Sequence, residues 1–302
     1  MELYMDSVGG GKLRVCRWMP QGQPRAIVQV VHGIVEHIGR YEGFANWLND
    51  RGIGLIGEDH MGHGGSISYG SQGYFDGGWF AAVEDTCCLM RQTMDEYPGV
   101  PYFLLGHSMG SFMARTILAK HPDSGISGCI LSGTAWQPSL LLKVVIPVCK
   151  AVCKHDGEKN PSPKLQKLAF GAYNNRVEHP RTEFDWLNRS PGEVDAYIAD
   201  PWCGFTASAG LLRDMMIGID YIQNKDNLGR MNKEIPVLFI AGGADPVGNY
   251  GKGVLQAAQA FEKAGIQQVK TKLYPLCRHE ILLEINREEI YEDVLNWLEE
   301  RI

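Results

Sequence analysis

The sequence of 302 residues lacks several features that would place it in whole classes of proteins. Residues 1–7 include acids at Glu2 and Asp6, and no apolar run follows them, so no secretory signal is visible. No stretch approaches the roughly 18 to 20 apolar residues that a membrane-spanning helix needs. The eight cysteines include no Cys-x-x-Cys pair of the kind that binds metals. We therefore expect a cytoplasmic protein with reduced thiols.

The chain also has no excess of basic residues. Its 29 Lys and Arg residues against 35 Asp and Glu residues give a net charge of −6. Nucleic acid is therefore not an expected partner, since phosphate binding needs a basic face. Hydrophobic residues make up 44% and charged residues 21%, which is typical of a folded globular protein rather than a disordered one.

Short apolar runs that end in turns alternate with helical patterns over much of the chain. The first part has predicted strands at 26–31, 54–57, 102–105 and 126–131, and predicted helices at 41–50, 79–97 and 108–120. The last part has predicted strands at 236–241 and 269–274, and predicted helices at 254–264 and 288–302. Strands that alternate with helices in this way predict parallel βαβ units and a layered α/β sheet.

The alternation is lost in the middle of the chain. Seven prolines lie there, at 138, 147, 161, 163, 180, 191 and 201, and only short helical stretches fit between them. A long interruption that enters and leaves at strand ends predicts a cap over the carboxyl edge of the sheet, where open α/β sheets bind ligands. We predict a core of residues 1–133 and 231–302 and a mainly helical cap of residues 134–230.

A Gly-x-Ser-x-Gly motif, residues 106–110, lies between a predicted strand and a predicted helix. A sharp turn from strand to helix places the serine at its tip, exposed above the sheet. Glycines flank the serine because strand and helix approach too closely there for a Cβ atom. The motif in this setting predicts Ser108 as a nucleophile.

A serine hydroxyl is a poor nucleophile until a base takes its proton. In hydrolases with this nucleophile turn, the partners follow in the order Ser, then Asp or Glu, then His. His279 is the only histidine after the late strand, and it lies between the strand that ends at Tyr274 and the last helix. Asp245 follows the preceding predicted strand by a few residues. We predict His279 as the general base and Asp245 as the acid that orients it.

The oxyanion of a tetrahedral intermediate needs two backbone N–H donors. One is the amide of Met109, the residue after the nucleophile. The other should come from the loop after the early strand, where Ile34 follows His32 and Gly33.

Two histidine clusters suggest a metal site, and we favour an interpretation without a metal for both. Residues 32–37 contain one residue more than the His-x-x-Glu-His zinc motif and begin with a glycine turn rather than a helix. Asp59, His60 and His63 cluster in a loop, where we favour hydrogen bonds that shape the loop. We expect neither a metal nor a cofactor.

Four motifs of the chain resemble the monoacylglycerol lipase and lysophospholipase group of α/β-hydrolases. They are His32-Gly33-Ile34-Val35-Glu36-His37, Gly39-Arg40-Tyr41, Asp59-His60-Met61-Gly62-His63-Gly64 and Leu105-Gly106-His107-Ser108-Met109-Gly110. The resemblance covers roughly residues 25–135 and 233–302 and is faint in the cap. It departs at Ser111, where the group commonly has a second glycine.

The resemblance implies an α/β-hydrolase fold, with a mostly parallel sheet flanked by helices and a helical cap inserted after the sixth strand. It also implies an oxyanion hole at Ile34 and Met109. With the apolar cap, it implies a medium or long acyl ester with a small polar head, such as a monoacylglycerol or lysophospholipid. A small-ester carboxylesterase, an amidase or peptidase, and an acyltransferase on the same fold are alternatives, and a non-catalytic binding module is a remote one. The head group and the oligomeric state stay open.

The cap contains a basic apolar segment, residues 140–168. Its six lysines against Asp156 and Glu158 give a local charge of +4, and Lys143, Lys150 and Lys154 fall on one helical stripe. This segment either contacts a membrane surface peripherally or packs as an ordinary cap helix that Pro147 interrupts. Eight further apolar or aromatic residues either line an acyl pocket or, for most of them, form cap core: Phe170, Tyr173, Trp186, Trp202, Phe205, Leu211, Met215 and Met216.

Overall fold

A computed structural model describes residues 2–302, apart from the side chains of Glu2 and Tyr69. Within this range eight strands form one sheet. They are β1 (Glu2–Asp6), β2 (Lys12–Trp18), β3 (Ala26–Val31), β4 (Ile53–Glu58), β5 (Tyr102–His107), β6 (Gly128–Ser132), β7 (Val237–Gly242) and β8 (Val269–Tyr274). Their order across the sheet is β1-β2-β4-β3-β5-β6-β7-β8. β1 and β2 are antiparallel to their neighbours, and the other pairs are parallel.

Helices follow most of the parallel strands. Those of the core are α1 (Glu42–Asn49), α2 (Gly78–Glu96), α3 (Met109–Lys120), α9 (Lys252–Lys263) and α10 (Arg287–Glu299). Those between β6 and β7 are α4 (Ser139–Asp156), α5 (Pro163–Phe170), α6 (Pro191–Ala199), α7 (Ala209–Gln223) and α8 (Lys225–Arg230). Short 3-10 helices lie at 38–41, 64–69, 173–176, 185–187 and 281–283.

The sheet is buried on both faces. In β5, Leu104 packs in one hydrophobic cluster with α2, α3 and α9, while Phe103 and Leu105 pack in another with α1 and α10. Successive side chains of a strand point to opposite faces, so an apolar run such as Tyr102–His107 contributes to both clusters. The expected fold, a mostly parallel sheet flanked by helices, is confirmed.

The antiparallel hairpin of β1 and β2 is absent from the sequence-based prediction. Its register pairs Met5 with Leu13, and residues 7–11 form the turn between the strands. The glycine run 9–11 between two stretches of β-forming residues is a hairpin signal that could have revealed it.

The regular secondary structure between β6 and β7 is helical, apart from one isolated bridge between Pro161 and Ser208. We call this segment the cap; the boundaries at 133/134 and 230/231 stay a prediction. The expectation of only short cap helices is wrong, since α4 has 18 residues and α7 has 15. Pro147 lies inside α4 without ending it, because α4 packs along α7 and this tertiary contact compensates the lost hydrogen bond. In residues 2–302 no helix combines the length and apolar character needed to cross a bilayer.

Candidate active site

Ser108 lies in the tight turn that joins β5 to α3. Its φ of 51° and ψ of −119° are strained for a residue with a side chain. Its N–H donates to Ser132 O at 2.9 Å, which fixes the turn against β6. A Cβ on Gly106 would lie 2.4 Å from Gly110 O, and one on Gly110 would lie 1.9 Å from Val31 O. Both glycines are therefore required for the chain to make this turn.

The predicted base and acid meet above the sheet. Nδ1 of His279 lies 2.9 Å from Oδ2 of Asp245, and both side chains are almost wholly buried. Burial by itself lowers the pKa of His279, but the charge of Asp245 and its hydrogen bond outweigh burial, so this pKa lies above its ordinary value. His279 and Ser108 line the same cavity.

The loop after β3 carries the second predicted oxyanion donor. Neither Ile34 N–H nor Met109 N–H donates a hydrogen bond to another described residue of the chain. Both amides are thus available to a ligand. Gly33 lets this loop approach the nucleophile, because a Cβ there would lie 3.2 Å from Ser108 Cβ and 2.7 Å from Glu36 Oε1.

A buried ion network holds the same loop. Glu36 accepts hydrogen bonds from Gly33 N–H at 2.5 Å, Tyr41 Oη at 3.0 Å and Arg40 Nη1 at 2.9 Å. Arg40 also forms a bidentate pair with Glu280, the neighbour of His279. Burial raises the pKa of Glu36, but the charge of Arg40 and these hydrogen bonds outweigh it and lower the pKa. The arginine thereby links the oxyanion loop to the loop of the predicted base.

The cap contributes to the same arrangement. Tyr197 of α6 donates from its hydroxyl to Val35 O at 3.1 Å, and Gly204 N–H donates to the same oxygen at 3.0 Å. Val35 has a φ of 51°, an uncommon conformation for a β-branched residue. The guanidinium of Arg40 lies 4.9 Å from the ring centre of Tyr197. The cap therefore stabilises the strained loop after β3, which carries the predicted oxyanion donor.

Glu36, Arg40, Glu280 and Tyr197 were not assigned roles from the sequence. Glu36 and Arg40 belong to the motifs that carry the family resemblance, so their positions were a usable signal. Tyr197 lies in the cap, where no pattern distinguishes it from other aromatic residues.

Two cavities meet at Ser108. One has a volume of about 450 Å³ and is lined in part by Glu36, His279 and Glu280; because it is the more polar of the two, we call it the polar cavity. The other, the apolar cavity, has a volume of about 200 Å³ and runs between α4, α5 and α7. They share Ile34, Ser108, Phe170 and Trp186.

The sequence analysis gave eight apolar or aromatic cap residues two alternative roles, lining an acyl pocket or forming cap core. Five of them line the apolar cavity: Phe170, Tyr173, Trp186, Met215 and Met216. Three of these five, Phe170, Met215 and Met216, also belong to or pack against the main hydrophobic cluster, so they line the cavity and form core at once. The other three pack elsewhere: Trp202 lies against the ring of His37, Phe205 against the ring of His63, and Leu211 in the main hydrophobic cluster. The sequence could not separate the two groups, because only the packing of α4, α5 and α7 decides which side chains face the cavity.

His37, Asp200 and Cys203 lie close enough together to suggest a metal site between core and cap. Nδ1 of His37 accepts a hydrogen bond from Gly39 N–H at 3.2 Å. Nε2 must then carry the proton, and it donates to Asp200 at 2.8 Å rather than offering a lone pair to a metal. These residues form a hydrogen-bonded contact between cap and core.

A serine in a strained strand-to-helix turn above this mostly parallel sheet defines the class, which is that of the α/β-hydrolases. The family is more specific. The family model described as serine aminopeptidase, S33, matches residues 22–286, and the chain belongs to this family.

The chain is similar to several characterised hydrolases over nearly its whole length. It is 29% identical to a monoacylglycerol lipase of Mycolicibacterium smegmatis, over 98% of this chain and 96% of that protein. It is 28% identical to a human monoglyceride lipase, over 96% of this chain and 88% of that protein. Among solved structures, a thermostable carboxyl esterase from Bacillus coagulans in complex with glycerol has a TM-score of 0.92 and 32% identity, covering 100% of this chain and 98% of that one. The resemblance inferred from the motifs is confirmed.

Proposed function

We propose that this chain is a serine hydrolase that cleaves carboxylic esters of a single acyl chain with a small polar alcohol, such as monoacylglycerols. The observation that carries the proposal is the meeting of two cavities at Ser108, of which one has the more polar wall and the other an apolar wall. An ester carbonyl at Ser108 would have its alcohol in the polar cavity and its acyl chain in the apolar cavity. The names of the relatives, monoacylglycerol and monoglyceride lipases, support the same substrate class.

The proposed reaction passes through an acyl-enzyme. Ser108 Oγ attacks the carbonyl carbon while His279 Nε2 accepts its proton, and Asp245 fixes the imidazole through Nδ1. The amides of Ile34 and Met109 stabilise the oxyanion. His279 then protonates the leaving alcohol, and a water molecule, deprotonated by His279, releases the fatty acid and regenerates Ser108.

The family description names an aminopeptidase, and the structure bears on that alternative. An aminopeptidase holds the free ammonium group of its substrate, for which a carboxylate is the natural partner. Two of the acids that line the polar cavity, Glu36 and Glu280, are already paired with Arg40. Both carboxylates are therefore committed to the network, whereas the third acid of the lining, Glu183, is exposed. The names of the relatives, rather than the lining of this cavity, favour the ester substrate.

Substrate profiling tests the proposal. We expect monoacylglycerols to have the highest kcat/KM among monoacylglycerols, lysophospholipids, acetate esters and aminoacyl amides, with chain length varied in the first two. Fastest turnover of the amides would support the peptidase, and a flat response to chain length would support a small-ester carboxylesterase. Product analysis in the presence of an added alcohol distinguishes hydrolysis from acyl transfer.

We also propose that the cap meets the lipid surface directly. Leu140, Leu141, Val144 and Val148 of α4 and Leu168 of α5 are exposed, with exposed fractions up to 76%, and we call them the apolar cap surface. Leu141 and Leu168 also line the apolar cavity, so the cavity opens at this surface. Lys143, Lys150 and Lys154 are exposed on the same helix. Apolar side chains among lysines suit an interface with anionic lipid, from which a single-chain substrate could enter the cavity.

A further inference from the structure

A third cavity, of about 590 Å³, shares no lining residue with the two cavities at Ser108. We call it the distal cavity. Its wall includes Trp136 from the segment between β6 and α4, Gln223 at the end of α7, Lys225 and Leu228 of α8, and Lys263 of α9. It is therefore formed where the cap leaves the core and where it returns.

The charged side chains that line the distal cavity are both cationic. They are Lys225 and Lys263, and no acid is among the described residues that line it. Asp226 and Glu262, their neighbours in sequence, are exposed but lie outside the lining. The cavity thus presents positive charge that its own wall does not neutralise.

A third cation lies behind the wall. Arg115 of α3 is fully buried, and no described acid contributes to its pKa. Its Nη1 donates to Ala135 O at 2.9 Å and Thr134 Oγ1 at 3.3 Å, while Nε and Nη2 have no acceptor among the described residues. Burial lowers its pKa to about 9, which still leaves it charged at neutral pH. Its guanidinium lies near two aromatic rings, with Cζ 5.7 Å from the ring centre of Trp136 and 5.8 Å from that of Phe261.

Trp136 connects this arginine to the distal cavity. Its side chain lines the cavity, and its ring centre lies 5.7 Å from Cζ of Arg115. Arg115 therefore adds a buried positive charge next to a residue of the cavity wall. Trp136 and Leu228 also give the cavity an apolar floor.

Both connections between cap and core take part in the wall. The side chain of Gln223 accepts from Gln137 N–H at 2.7 Å and donates to Gln137 O at 2.8 Å. Arg115 binds the same connection from the core side, through Ala135 O. A ligand in the distal cavity would contact both segments on which the cap is mounted.

We propose that the distal cavity binds a small organic anion, a carboxylate or a phosphate ester with an apolar body. Lys225 and Lys263 bind the charged group, Trp136 and Leu228 contact the apolar body, and Arg115 supplies the buried counter-charge. The site is independent of ester hydrolysis at Ser108, and its test does not use activity.

Calorimetric titration of the full chain tests the proposal with benzoate, phenyl phosphate, inorganic phosphate and benzamide, the neutral analogue of benzoate. We expect at least one of the two aromatic anions to bind with a Kd of about 1 mM or tighter, and benzamide and inorganic phosphate to bind at least roughly tenfold more weakly. Preference between benzoate and phenyl phosphate identifies the charged group. Equal binding of benzoate and benzamide, or no binding of either aromatic anion at about 10 mM, would overturn the site.

Substitutions locate the binding. Lys225→Gln with Lys263→Gln should raise the Kd of the preferred anion roughly tenfold or more, because two contacting charges are removed. The matched double variant Lys164→Gln with Lys252→Gln removes two exposed lysines outside the cavity. Its Kd for the preferred anion should stay within about twofold of the wild-type value. Arg115→Met should weaken binding of the anion but not binding of benzamide. Unchanged affinity of the Lys225→Gln, Lys263→Gln variant would refute the proposal. Both changes are at exposed side chains, so this test remains valid even if the buried Arg115→Met variant fails to fold.

Discussion

At the scale of single residues, Ser108 has the most constrained backbone in the site. Its φ of 51° is maintained by two glycines that no larger residue could replace and by the bond of its N–H to Ser132 O. A strained residue of this kind persists only where the surrounding structure holds it. This constraint presents the hydroxyl at the meeting point of the two cavities.

A fluorophosphonate should label one serine, Ser108, because it is the hydroxyl set beside the base and the free amides. Ser108→Ala should lose the label and nearly all turnover, and His279→Ala should cost about as much, since triad members act as a unit. Ser139→Ala, which removes an exposed serine at the start of α4, is the control. Its labelling by the fluorophosphonate and its rate of ester turnover should equal those of wild type. Mass spectrometry of the labelled peptide gives the position, and a label elsewhere would contradict the assignment.

The proposed role of His279 as general base predicts how the rate depends on pH. The base must be neutral to accept the serine proton, and its pKa is raised above the ordinary value of 6.5. The rate should therefore be full at high pH and fall as pH drops through a pKa above 6.5. Asp245→Asn removes the charge that raises this pKa, so the acid limb should move to lower pH while kcat falls by about four orders of magnitude.

The measurement is kcat/KM for a soluble ester across the pH range, for wild type and Asp245→Asn. Circular dichroism of the variant checks that its fold is intact. A rate that does not change between about pH 5 and 8 would argue against a histidine base.

Met216 tests the assignment of the apolar cavity to the acyl chain. It lines that cavity from α7 and is only partly buried, so Met216→Trp should fill the cavity without opening the core. We expect kcat/KM for long-chain monoacylglycerols to fall roughly tenfold or more, while kcat/KM for an acetate ester stays within about twofold of the wild-type value. Ile198→Trp places the same indole on an exposed position of α6 as a control. An equal loss on both substrates would mean that the cavity does not hold the acyl chain.

At the scale of elements, α4 combines two roles. Leu142 and Cys149 on its inner face are buried, whereas most of its outer face carries exposed leucine, valine and lysine side chains. Packing on α7 allows it to stay helical through Pro147, and this continuity keeps the lysines on a single stripe.

Changing Lys143, Lys150 and Lys154 to glutamine tests the membrane role of α4. Each lysine near an anionic surface contributes about 1 kcal/mol, so the triple variant should bind anionic vesicles roughly a hundredfold more weakly at low salt. Turnover of lipid in those vesicles should fall, while hydrolysis of a soluble short ester should be unchanged. Added salt should weaken wild-type binding and hardly affect the variant.

The control for this experiment removes the same number of charges from the core, by changing Lys12, Lys252 and Lys270 to glutamine. These lysines are exposed, and the surface pairs of Lys12 with Asp6 and Lys270 with Glu300 contribute little to stability. Vesicle co-sedimentation measures all three proteins. If both triple variants lose binding equally, net charge rather than the lysine stripe of α4 is responsible.

At the scale of the whole molecule, the cap and core are joined at the site itself. Arg278, next to the predicted base, donates to the carbonyl oxygens of Asp185 at 2.6 Å and Asn188 at 2.9 Å in the cap. Tyr197 of the cap donates to Val35 O in the loop after β3. These contacts make the geometry of the site depend on the position of the cap.

Arg40→Met tests the stabilising role of the ion network. The change leaves Glu36 and Glu280 as unpaired buried carboxylates, so it should lower the free energy of unfolding by about 3–5 kcal/mol. Adding Glu36→Gln and Glu280→Gln removes both charges and should recover much of this loss. Denaturant unfolding measures all three proteins, and equal stability of the single and triple variants would contradict the network as described.

The sequence by itself determined the order of the core strands and helices from β3 onward, the class of fold and the three candidate residues of the triad. The physical reason is locality: a buried parallel strand, a glycine-flanked turn and the order Ser, Asp, His are written in short stretches of chain. The contact of Asp245 with His279 could be predicted because both follow neighbouring parallel strands, whose carboxyl ends share one edge of the sheet.

Only the tertiary structure decided the rest. Tyr197 binds the loop after β3, five cap residues line the apolar cavity, and Arg115 is buried near Trp136, all through contacts between residues far apart in the chain. Pro147 stays within α4 because packing on α7 outweighs the local preference of proline to end a helix. The direction in which a side chain points and the extent of its burial depend on how whole helices and strands pack. No short pattern in the sequence encodes this packing.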